Sequence, residues 1–179
     1  MASLPYVTSS GNIEKALAGI KAAAVPEFVS QDFVKTILKI PGGSGNQMTT
    51  FLKKLGLAAG DGKPTDLYIS FRNPATSGKA IANAIRKAYA PLYIRSEYMH
   101  ELDDDSLRGL IIEETGQAHD ANSVRYTFSC ISALKKFAKL ARWISKTLQI
   151  KKTRSRITVS SQFMSSLIPP ILLKLVVLA

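Results

Sequence analysis

The 179-residue chain has one cysteine, Cys130, so it cannot form an intramolecular disulfide framework or a multi-cysteine zinc cluster. Eight prolines and eleven glycines are too few for a fibrous or low-complexity chain, and 46% hydrophobic residues argue against wholesale disorder. The opening Met1-Ala2-Ser3-Leu4-Pro5-Tyr6 has no basic run followed by an apolar core, so no signal peptide is read. Leu167 to Ala179 is apolar apart from Lys174 but falls short of the about 20 residues of a membrane span, and Pro169-Pro170 interrupts it. A cytoplasmic location without membrane contact is the expectation.

Acidic residues are missing from the last third. Residues 1–120 hold 13 Lys plus Arg against 13 Asp plus Glu, whereas 121–179 hold 11 basic residues and no acid. The net charge of +11 therefore belongs to one end of the chain. A protein gripping phosphates over its whole surface would not be built this way. A neutral body with a basic tail over 144–179 fits better, and charge alone does not choose among nucleic acid, an anionic membrane and an acidic protein.

Apolar spacing predicts a series of short helices. Ser10 or Asn12 caps the first, with Ile13, Leu17, Ile20 and Ala24 inward and Pro26 as its stop. Ser30 caps the second, whose stripe is Phe33, Val34, Ile37 and Leu38. After Pro41-Gly42-Gly43-Ser44-Gly45, Ser44 and Gln47 have capping-box spacing. A third helix then turns Met48, Phe51, Leu52 and Leu55 inward and ends at Gly56 as a left-handed cap. Asp61-Gly62 signals a hairpin, and Leu67-Tyr68-Ile69-Ser70-Phe71-Arg72 reads as its second strand. Three helices followed by a hairpin is the order of a winged helix-turn-helix unit.

Asn73-Pro74 marks a boundary, giving a winged-helix-like unit over 1–73 and a helical region over 74–143 packed on it. In the second half, Thr76 or Ser77 opens a helix with Ile81, Ala84, Ile85, Ala88 and Tyr89 on one face, ended by Pro91. Asp103-Asp104-Asp105 opens another, carrying Leu107, Leu110 and Ile111 and stopped by Gly116. Asp120 or Asn122 starts a longer helix running past Trp143. The expected class is mainly α with a short β-hairpin wing.

With its apolar residues buried, the third helix shows Asn46, Gln47, Thr49, Thr50, Lys53 and Lys54 outward. Such side chains contact base edges and phosphates when a recognition helix lies in the major groove. Lys63 in the wing and Arg72 at the end of its second strand are expected to steady the nucleic-acid backbone. The plain alternative is a solvated polar face, or a unit that docks a protein partner, since fold does not fix function.

Other constellations are weaker. The Gly42 to Gly45 turn lacks the Lys-Ser/Thr and preceding strand of a P-loop. His100, Glu101, Asp103 to Asp105 and His119 are metal-ligand types, but no His-Glu-x-x-His spacing occurs, and adjacent aspartates usually cap a helix. No Gly-x-Ser-x-Gly is present, and Cys130 has no evident His partner. Arg125, Lys135, Lys136, Lys139, Arg142 and Lys146 form a basic amphipathic segment suited to phosphate or anionic lipid, or simply to solvent. The expectation is a non-enzymatic binder, without metal or small-molecule cofactor. DNA is the first partner, a protein the second, and a metal-dependent enzyme around His100 to His119 the weakest reading.

Leu4-Pro5-Tyr6-Val7-Thr8-Ser9, Gly11 and Ile13-Glu14-Lys15 resemble an uncharacterised prokaryotic family. The likeness continues through Gly42-Gly43-Ser44, Leu52-Lys53-Lys54-Leu55-Gly56, Asp61 to Thr65, Phe71-Arg72-Asn73, Leu102-Asp103-Asp104 and Ala133 to Phe137. It covers about residues 4–140 and leaves the tail unmatched. It implies a helical domain with a winged-helix-like front from bacteria or archaea, and no activity.

Overall fold

A computed structural model describes residues 3–138. Seven helices follow one another: α1 (Gly11–Ala22), α2 (Gln31–Thr36), α3 (Gly42–Lys54), α4 (Asp66–Arg72), α5 (Ser77–Ala88), α6 (Ala90–Arg95) and α7 (Asp104–Thr115). An eighth, α8, is described over 122–138. The expected basic tail at 144–179, and the continuation of the last helix past Trp143, lie outside the described residues. No helix among the described residues is long and apolar enough to cross a membrane.

Local signals account for most helix ends. The Ser30 hydroxyl accepts the Phe33 amide at 3.1 Å, and an Asp103 carboxylate oxygen accepts that of Ser106 at 2.8 Å. Each satisfies one amide that a helix start leaves without a partner. Gly116 ends α7 in the left-handed region, as read from the sequence. The capping box does not form: Pro41 is the N-cap of α3, and Ser44 lies inside the first turn. A Cβ on Gly45 would sit 2.3 Å from the Ile40 carbonyl oxygen, so the glycine permits close approach of α3 to the preceding turn. Pro91 lies in the first turn of α6, where its missing amide costs no hydrogen bond, and so opens that helix instead of merely closing α5.

The wing is the main correction. No strand or sheet occurs among the described residues, so the winged helix-turn-helix architecture does not hold, while the mainly α class does. The Asp61-Gly62 turn closes on a single antiparallel bridge, Ala58 with Pro64, and the expected second strand is α4. Thr65 decides this locally: its hydroxyl accepts the Tyr68 amide at 3.4 Å, with Asp66 favourably placed against the helix dipole. Burial agrees with a helical period. Tyr68 and Phe71, three apart, are buried, while Ile69, which a strand would turn the same way as Phe71, is 49% exposed.

One hydrophobic core runs from Leu4 to Leu134 and joins both sides of the Asn73-Pro74 boundary. Lys21 crosses its edge, with its ammonium 5.0 and 5.1 Å from the Phe71 and Phe137 ring centres and donating to Ser77 Oγ at 2.9 Å. Burial lowers its pKa below the ordinary lysine value.

Candidate nucleic-acid interface

Asn46, Thr50 and Lys54 recur every four residues along α3 and form one exposed stripe beside the exposed Gln47. The other site residues expected from the sequence are placed differently. Thr49 is only 7% exposed, and its hydroxyl donates back to the Gly45 carbonyl at 2.9 Å. Lys53 donates to the Gly60 carbonyl at 2.9 Å, tying the Asp61-Gly62 loop to α3. Lys63 is exposed 4.0 Å from Asp61. Arg72 ends α4 rather than a strand. Its guanidinium donates to the carbonyls of Ile20 at 3.2 Å and Ala23 at 2.5 Å, two acceptors at the end of α1. Half-buried and engaged with backbone, Arg72 joins α4 to α1.

The segment before α1 contributes residues that sequence reasoning did not assign to the site. Residues 3–7 have no regular structure, yet Leu4 and Val7 are buried. The Val7 amide donates to Cys130 Sγ at 3.3 Å, and the thiol donates back to the Val7 carbonyl at 3.5 Å. Tyr89 Oη donates to the Pro5 carbonyl at 2.8 Å. Gln47 Oε1 accepts both the amide and the hydroxyl of Thr8, at 3.3 and 3.1 Å. This pinning sets Tyr6 beside the α3 stripe with 44% of its surface exposed. Its ring stacks on Tyr126 of α8 at 5.9 Å, and the Arg125 guanidinium lies 5.3 Å from the Tyr126 ring centre. The Leu4 to Thr8 motif was visible in the sequence, but its partners lie more than 35 residues away.

Between Pro5-Tyr6 and α3 runs a shallow groove of about 320 Å³, lined by Asn46, Gln47, Thr50, Phe51 and Lys54 and, among the described residues, by no carboxylate. On the other flank of α3 a groove of about 470 Å³ includes Phe28, Gln31, Thr50, Lys53 and Asp61. The first offers hydroxyl and amide groups that can donate and accept, the exposed Lys54 ammonium and an aromatic edge.

Cys130 is buried, and burial pushes its thiol up to about 11, so it stays protonated as a partner of Val7. His100 stacks on Tyr93 at 6.2 Å and lies 3.6 Å from Glu101, while His119 is exposed. Among the described residues no three His, Cys, Asp or Glu side chains are grouped to hold a metal ion.

Fold and groove together define a helical domain that presents a polar, carboxylate-free helix face framed by an anchored tyrosine. Residues 5–143 match DUF5343, a family of unknown function, and the chain belongs to that family. No curated protein and no solved structure matches it.

Proposed function

We propose that this protein binds nucleic acid, DNA foremost, through the exposed stripe of α3, and that it does so without catalysing a reaction. The supporting observation is the groove beside α3, where Asn46, Gln47, Thr50 and Lys54 face outward next to Tyr6 with no carboxylate among the described lining residues. Amide side chains suit adenine edges, a lysine suits phosphate or guanine, and an exposed ring suits a base or sugar face. A protein-docking surface of similar size would carry more apolar area at its centre. In this reading Thr49, Lys53 and Arg72 hold the scaffold, and only the outer row meets the ligand.

Asn46 and Lys54 make no side-chain hydrogen bond or ion pair among the described residues, so changing them leaves the fold intact. Asn46→Ala with Lys54→Glu should abolish retention of a DNA duplex at low salt. Retention equal to that of the unaltered chain would remove α3 from the interface.

The adaptor reading draws on a different place. Ile94 is 86% exposed and Tyr98 62%, an unusual display of large apolar side chains around α6. Recovery of a stable protein partner that survives high salt and nuclease, and is lost on Ile94→Asp, would favour it.

A further inference from the structure

We propose that a second, separate site, the cavity between α5, α8 and the turn after α6, binds a small phosphate monoester carrying an apolar or aromatic body. It measures about 790 Å³, within the size range of small-molecule pockets, and among the described residues shares no lining residue with the α3 groove.

Among the described residues, three cationic side chains line this cavity, Lys79 and Arg86 from α5 and Lys135 from α8, against one lining carboxylate, Glu101. Lys79, Ala82 and Arg86 follow at three- and four-residue steps and so share one face of α5. Arg86 is prepositioned, with its guanidinium 5.6 Å from the Tyr93 ring centre. His100 stacks on the same ring at 6.2 Å, extending the wall, and its Nε2 lies 3.6 Å from Glu101 Oε1. Lys135 is oriented by its bond to the Leu102 carbonyl at 3.1 Å. Among the described residues Glu101 lies beside His100, and the Asp103 carboxyl is drawn below its ordinary pKa by its Ser106 hydrogen bonds and, to a lesser degree, by Lys135, so Lys79 and Arg86 carry the positive field toward the cavity.

The charge pattern selects the ligand class. The Arg86 guanidinium matches two oxygens of an oxyanion, and the Lys79 ammonium on the same helix face favours a dianion over a monoanion. Free phosphate would leave the apolar part unused. Ile85, Leu102, Ala82 and Ala138 contribute a hydrocarbon floor that an organic body would cover. A phosphate monoester supplies both halves, a dianionic head and an apolar remainder.

The test is calorimetric titration of the full chain with phenyl phosphate, beside inorganic phosphate, benzoate and phenol. Phenyl phosphate should bind saturably, at least tenfold more tightly than inorganic phosphate or benzoate, and phenol should give no saturable signal. Lys79→Ala with Arg86→Ala should weaken binding at least tenfold. Ala82→Phe, which fills the cavity while keeping every cation, should do the same, with the melting profile of each variant recorded to confirm folding. No saturable binding of phenyl phosphate overturns the proposal, as does unchanged affinity in folded variants. Inorganic phosphate binding as well as the ester also overturns it, since only an anion would then be recognised. DNA retention through α3 is measured separately, so the two readings stand or fall independently.

Discussion

Replacing Arg72 by methionine separates a scaffold role from a ligand-contact role. The change keeps the hydrocarbon stem and removes the guanidinium that bonds the Ile20 and Ala23 carbonyls. A hydrogen bond involving a charged group contributes about 1.5–3 kcal/mol, so two set an upper limit of about 3–6 kcal/mol. Arg72 is only half-buried, and water can reach the freed carbonyls, which lowers the expected loss to about 2–3 kcal/mol. The lost positive charge at the end of α1 adds a few tenths of a kcal/mol through the helix dipole. For a chain of this size, about 2–4 °C of melting temperature per kcal/mol gives a drop of roughly 4–12 °C. Arg72→Lys, with one ammonium in place of a fork, should recover only part of it. Thermal unfolding followed by circular dichroism, with DNA retention measured below the transition, reads both roles. An unchanged melting temperature with lost DNA retention would refute the scaffold assignment and return Arg72 to the interface.

Other predictions concern buried groups. Tyr68 Oη is buried without a hydrogen-bond partner among the described residues, so Tyr68→Phe should leave the urea midpoint unchanged or raise it. Tyr89→Phe removes the bond to Pro5 and should cost about 1–2 kcal/mol, with faster hydrogen exchange at the Val7 amide. Gly45→Ala places a methyl against the Ile40 carbonyl and should lower the urea midpoint by about 1 M or more. The Cys130 thiol should resist alkylation at pH 8 in the folded chain and react on unfolding, and rapid labelling of folded protein would contradict its burial. Its folded pKa of about 11 exceeds the ordinary 9.0, so the unfolded chain loses this proton first. Stability should fall as pH rises from about 9 toward 11, a dependence that Cys130→Ala should reduce.

Features set by neighbouring residues were legible in the sequence. Ser30, Gly56 and Gly116 act where they were expected, since a cap depends on a few adjacent groups. The buried faces of α1 and α7 also follow from spacing alone. Residues 67–72 were not legible, because Leu67, Tyr68, Ile69 and Phe71 satisfy both a two-residue and a three-to-four-residue period. The cap at Thr65 settles the choice, but its signal was hidden beside a strong turn dipeptide. On α3 the outer stripe was readable, whereas Thr49 is buried with its hydroxyl on the Gly45 carbonyl and Lys53 is half-buried with its ammonium on the Gly60 carbonyl. Tyr6 was out of reach: its place depends on Tyr126, Cys130 and Tyr89, which only the tertiary fold brings to the chain's start.

The most direct test of the α3 interface is a fluorescence-anisotropy titration of a labelled DNA duplex across a salt series, with the full chain beside its Lys54→Glu variant. Both proteins keep every basic residue beyond 120, so any difference belongs to the helix face. The predicted result is a linear fall of log affinity with log salt, with the variant at least tenfold weaker at low salt and its slope shallower by about one. Superimposable curves for the two proteins would contradict it.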